Sequence, residues 1–141
     1  MRRPLHEIAV ATAVASVLSG APSTAHAMLN GRPPLEAARA AGALLPGRRG
    51  ARSGGLLAGA IVHVGVSAVW GTVLGLVLPE RNTVAWGAVA GLGIATIDLV
   101  VLGGRKVPAL AALPQRWQWA DHVAFGAITG WVLSRADAAP A

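Results

Sequence analysis

Residues 54–78 form a run of 25 residues without a formal charge. A second run, residues 83–102, is broken only by Asp98. A bilayer core about 30 Å thick is crossed by roughly 20 mostly apolar residues in helical form. Both runs reach that length, so reasoning built for water-soluble folds does not apply. Composition agrees: 13% of residues are charged, against about 25% in soluble domains. The 18 glycines are what helices need to approach one another in lipid. These features predict an all-α integral membrane helical bundle of four membrane segments, forming one domain over residues 1–141. Its main partner is the lipid bilayer of the cell membrane.

The first segment is the ambiguous one. Arg2 and Arg3 precede an uncharged stretch, residues 8–31, whose first half is strongly apolar. Pro22 lies in its second half and removes a backbone donor. The stretch reads as a span kinked near Pro22, a re-entrant hairpin, or a signal peptide ending at Ala25-His26-Ala27. Glu7 directly before the apolar core counts against a signal peptide. So do Arg32, Arg39, Arg48, Arg49 and Arg52, which cleavage would leave outside. A retained segment over 8–29 is the favoured reading.

The remaining segments fall at 54–78, 83–102 and 117–134. Residues 30–53 form a basic interfacial loop. Within it, Leu35 to Leu45 is helix-prone after Pro33-Pro34, and Gly47 to Ser53 is a flexible basic link. Glu80-Arg81-Asn82 is a tight turn that makes the second and third segments an antiparallel hairpin. Residues 105–116 read as a polar loop and 136–141 as a disordered tail. Positive residues concentrate in 30–53 and 103–116, which places both loops in the cytoplasm. Trp86, Trp131, Trp117 and Trp119 fall at interfacial belt positions, and Trp70 lies deeper as a packing residue.

Several chemistries are excluded or unsupported. The absence of cysteine removes disulfides and thiol catalysis. The net charge of +6 comes from arginines flanking apolar runs, where they meet lipid headgroups, so no nucleic acid is expected. No phosphate-binding glycine loop and no Gly-x-Ser-x-Gly elbow occurs. An enzyme is not indicated, and no cofactor is expected. No His-x-x-x-His or Glu-x-x-His spacing fixes metal ligands, so no metal is expected either.

Two constellations remain. Small residues recur four apart at Gly55/Gly59, Ser67/Gly71, Gly71/Gly75, Gly87/Gly91 and Gly126/Gly130. Each pair presents a groove for helix packing, within the chain or as a homo-oligomer through a Gly-rich face. The second constellation is a candidate intramembrane polar cluster: His63, Asp98, Asp121 and His122. Counted from the turn at Pro79, His63 and Asp98 fall at equal depth. They are therefore expected within direct or single-water reach, with Asp98 ionised or sharing a proton with His63. The cluster fits an interhelical clasp in a structural or accessory membrane component. The alternative is a small transport, permeation or proton-coupled protein using His63, Asp98 and His122.

Several strings together resemble small, functionally uncharacterised membrane proteins of actinobacteria. They are Ser19-Gly20-Ala21-Pro22-Ser23-Thr24, Gly31-Arg32-Pro33-Pro34-Leu35-Glu36-Ala37, His63 with Ser67 and Trp70-Gly71, the Asp98 segment, and Ala120-Asp121-His122-Val123-Ala124-Phe125-Gly126. The resemblance covers nearly the whole chain. It implies a polytopic cell-membrane protein with a retained first segment, and supplies no activity or site.

Overall fold

Proline and glycine set most of the helix boundaries. In the computed structural model, which describes residues 3–45, 47, 55–103 and 106–138, helix α1 (Leu5–Leu18) starts directly after an extended Pro4. The helix pauses at Ser19 and Gly20, then continues as α2 (Ala21–Leu29). Pro22 sits in the first turn of α2, where a missing N–H leaves no bond unmade. Gly31 turns the chain away with φ +65°. Helix α3 (Glu36–Ala41) and a single 3-10 turn (Gly42–Leu44) follow. Helix α4 (Leu56–Val77) stops where Leu78 turns extended ahead of Pro79. Asn82 is left-handed at φ 54° and closes the turn. The Thr83 hydroxyl donates back to the Pro79 carbonyl at 2.9 Å.

Helix α5 (Thr83–Ala95) then changes pitch. Thr96–Leu102 is π-helical, and the Gly103 N–H reaches the carbonyl of Asp98, five residues back, at 2.9 Å. A short α6 (Pro108–Ala111) leads into the long α7 (Gln115–Asp137).

The described residues are thus helical, with no strand among them. Three helical stretches are long and apolar enough to cross a bilayer: Leu5–Leu29, Leu56–Val77 and Thr83–Leu102. This is the make-up of a membrane protein. Helix α7 is as long, yet it carries Arg116, Asp121, Arg135 and Asp137. Its position accounts for that. It packs most extensively on α5, then on α1, with smaller contacts to α2 and α4. A helix covered by other helices need not meet lipid, so polar residues on it find protein partners.

The expected hairpin pairing of α4 with α5 does not form. The two are joined by the Pro79 turn but barely touch. Helix α1 packs on α4 and α7, and α7 packs on α5, giving the order α4, α1, α7, α5. Glycine decides this order. A methyl on Gly87 or Gly91 would strike the backbone of α7 at Gly126 and His122. One on Gly126 or Gly130 would strike α5 at Gly87 and Thr83. Gly71 and Gly75 lie under Thr12 and Ile8 of α1. Around these approaches Ala11, Ala15, Leu74, Leu78, Ile94, Phe125 and Leu133 form the core.

One end of the bundle gathers the start of α1, the end of α7 and the Pro79 turn. The Arg3 guanidinium donates to the Leu78 carbonyl at 2.8 Å and pairs with Asp137 at 2.9 Å, with its side chain only 6% exposed. Hydrogen bonding to Asp137 holds Arg3 protonated above its ordinary range. At the opposite end, α3 and α6 share a second apolar cluster of Ala40, Ala43, Val107, Ala109, Leu110 and Leu113. Within the stretch expected to be a polar loop, 105–116, Val107, Ala109, Leu110 and Leu113 therefore belong to an apolar cap. The helix expected over Leu35 to Leu45 divides into α3 and its 3-10 turn. Ala136 and Asp137, expected in a disordered tail over 136–141, belong to α7, and residues 139–141 lie outside the described residues. Most of the expected basic link, residues 48–53, lies outside the described residues.

Candidate functional site

The polar residues inside the bundle join neighbouring helices in sequence around it. Asp98 stands in the π-helical stretch that ends the third apolar run. That local change of pitch re-aims side chains relative to α5, and such stretches recur at functional positions. The indole Nε1 of Trp70 on α4 donates to the Asp98 carboxylate, at 3.0 Å to Oδ2 and 3.3 Å to Oδ1. His122 on α7 approaches the same carboxylate, with Nε2 at 3.4 Å from Oδ2. One carboxylate therefore ties α4 and α7 to the end of α5.

The other ring nitrogen of His122 defines the chemistry. Nδ1 lies 2.7 Å from the Gln118 carbonyl, so it must carry a proton and donate. In a neutral ring that leaves Nε2 bare and facing a carboxylate. With a proton on Nε2 as well, the contact is an ion pair with Asp98. Asp98 is expected within reach of His63, ionised or sharing a proton with it; its carboxylate instead meets Trp70 and His122.

His63 has a different partner. Its Nε2 lies 2.8 Å from the backbone carbonyl of Ser16 and 3.2 Å from the Ser16 hydroxyl, joining α4 to α1. The residue sits on the exposed side of α4. Equal depth brings His63 and Asp98 together only if α4 and α5 pack side by side, and these helices touch little beyond the Trp70 and Asp98 contact.

Asp121 makes the fourth link. Its Oδ1 accepts the backbone N–H of Ser23 at 2.9 Å. Ser23 lies in the first turn of α2, where backbone donors have no partner within the helix. A carboxylate there satisfies an orphan N–H and meets the positive end of the helix dipole. The start of α2, just after the pause at Ser19 and Gly20, thus has one backbone donor answered from α7.

The links run α1 to α4 through Ser16 and His63, and α4 to the end of α5 through Trp70 and Asp98. They continue to α7 through Asp98 and His122, and return to α2 through Asp121 and Ser23. Three of the four predicted residues, Asp98, His122 and Asp121, stand at the α5–α7–α2 side of this belt, and His63 closes it at α1. Sequence reading missed Ser16, Ser23 and Trp70. A signal was present: Ser16 and Ser23, like His63 and Trp70, are seven residues apart, the spacing that returns to one helix face.

Among the described residues no group of His, Asp and Glu is arranged to hold a metal ion. Two surface grooves lie at the ends of the bundle, one beside Arg3 and the Pro79 turn, the other between α3 and α6; neither is lined by a belt residue. Comparison with protein-family models, curated proteins and solved structures returns no match.

Proposed function

We propose that this chain is a multi-pass integral protein of a bacterial cell membrane, a structural or accessory component whose polar belt fastens its helices. In this reading four segments cross the bilayer: α1 with α2, α4, α5 with its π-helical end, and α7. What supports α1 as a retained, complete crossing is its reach. Arg3 bonds at the Pro79 end of the bundle, Ala11 and Ala15 enter the core, and Ser23 meets Asp121 further along. The end bearing α3 and α6 is assigned to the cytoplasm. The 30–53 and 103–116 stretches there hold eight of the chain's 12 Lys and Arg residues. The resemblance to actinobacterial membrane proteins accords with this placement.

The observation that carries the clasp is the Asp98 carboxylate between Trp70 and His122. An isolated ionised carboxylate near mid-membrane costs about 2.5–3.5 kcal/mol on insertion scales. Here it gains a donor from each of two helices, and helices in lipid lack the hydrophobic drive that assembles soluble bundles.

Asp98→Asn tests the reading. An amide accepts from Trp70 through its oxygen and donates to a neutral His122 through its nitrogen. The variant is expected to insert and unfold within about 1 kcal/mol of the parent. Asp98→Leu, which offers neither bond, is expected to lose markedly more. Proton or cation flux into vesicles carrying the parent protein, abolished in an inserted and folded Asp98→Asn variant, would replace the clasp by the transport reading.

A further inference from the structure

The groove between α3 and α6 has a chemistry the belt does not use. It encloses about 290 Å³ and is lined by Arg32, Arg39 and Glu36 on one side and by Ala109, Ala112 and Leu113 on the other. Arg32 is occupied: its Nε pairs with Glu36 at 3.0 Å, and the two charges offset each other. Arg39, one turn further along α3, is exposed and makes no ion pair among the described residues. The groove therefore offers one unspent guanidinium facing an apolar wall, with a second guanidinium held beside it by Glu36.

Its depth follows from packing. Ala38 of α3 lies against Gly59, in the first turn of α4. Around it the exposed surface is apolar, with Met28 63%, Leu29 85%, Leu35 47% and Leu57 77% exposed. The lipid-facing surface thus runs up to the start of α3 and gives way there to arginine. An open groove at that boundary, with arginine on one wall and apolar residues on the other, matches an amphiphile whose head is anionic and whose body is hydrocarbon. A free anion would match only the arginine wall.

We propose that this groove binds an anionic membrane phospholipid. The phosphate is held by Arg39, Arg32 stands alongside, and the start of the acyl region lies against Ala109, Ala112 and Leu113. A guanidinium presents paired donors to phosphate oxygens, which a single ammonium does not. The proposal rests on the membrane placement given above.

The test uses the full chain, purified in neutral detergent doped with equal amounts of phosphatidylglycerol and phosphatidylcholine. Native mass spectrometry then reads the lipid retained. The parent protein is expected to retain phosphatidylglycerol in preference to phosphatidylcholine. Arg39→Gln is expected to lower that retention about fivefold, the weight of one basic residue at a membrane surface. Arg135→Gln, at the far end of the bundle, should leave it unchanged. Equal retention of both lipids by the parent overturns the proposal, as does parent-level retention by Arg39→Gln. An equal loss in Arg135→Gln would mean that net charge alone acts, and also overturns it. Displacement of the lipid by an equal concentration of glycerol phosphate would make the ligand a soluble phosphate instead. Alkaline carbonate extraction separates the two readings: a chain that washes off membranes defeats the placement itself, whereas one that stays inserted without lipid preference defeats the site alone.

Discussion

Trp70 shows how much one donor can decide. Its indole is the direct polar link between α4 and the end of α5, because the two helices have little other contact. Trp70→Phe keeps most of the ring area and removes the N–H. A cost of about 0.6–1.7 kcal/mol is expected, the range for interhelical hydrogen bonds in membranes. Unfolding of the purified protein in mixed micelles measures it. Combining Trp70→Phe with Asp98→Leu should cost less than the two single changes added together, because each removes the same bond. Strict additivity would mean that the indole and the carboxylate do not act on each other. Asp121 teaches a related lesson. Its use was visible only once Ser23 was seen to open a new helix, since a carboxylate at a helix start is a cap whichever helix supplies it.

Among the elements, α7 is the surprise and glycine is the reason. Four glycines, Gly87, Gly91, Gly126 and Gly130, bring the backbones of α5 and α7 together with nothing between them. Gly126→Ala places a methyl against the Gly87 carbonyl, which cannot yield as a side chain would. The expected loss is about 1–3 kcal/mol. Gly93→Ala makes the contrast, since Gly93 on α5 has open space where a methyl would go. Its expected effect lies within about 0.5 kcal/mol. The pair of variants is best compared by thermal unfolding in one detergent. Comparable losses from both would show that helix flexibility, not close approach, is what these glycines supply. The small-residue spacing was legible in the sequence, but not which groove receives which helix. Gly71/Gly75 accepts Thr12 and Ile8 of α1, although α5 is the helix joined to α4 by a short turn.

For the whole molecule the ends are unlike. Arg3, Leu78 and Asp137 fasten the start of α1, the Pro79 turn and the end of α7 at one side. The α3 and α6 cap closes the other. In the proposed four-segment reading, Arg3 and Asp137 lie on one side of the membrane. Alkaline phosphatase fused after Asp137 is therefore expected to be active, and a fusion at Gly47 inactive. The reverse pattern would invert the proposed orientation. The Arg3 and Asp137 pair adds a pH expectation. A raised Arg3 value means its contribution is complete below the ordinary arginine range and lost only as pH rises through the folded value. No alkaline weakening from Arg3 is thus expected across the neutral and mildly basic range, and a pH series of unfolding midpoints checks it.

Sequence alone determined the class and much of the register. Long uncharged runs can be satisfied only as helices that hide their own peptide groups, and Pro79 and Asn82 fix where one run turns into the next. The uneven arginines follow from the same one-dimensional record. The four polar residues could also be named, because charge in an apolar run stands out wherever the run folds. Their partners could not. Depth counted along a helix says how far in a side chain lies, but not which neighbour faces it. That neighbour is set by which backbones approach most closely, and α7, the least apolar of the long helices, takes the central place because α5 and α1 cover it. Because α4 packs on α1 and α5 packs on α7, His63 meets Ser16 and Asp98 meets His122, while Trp70 reaches Asp98 from α4. Contacts between residues far apart in the chain made that choice, and no local pattern encodes them.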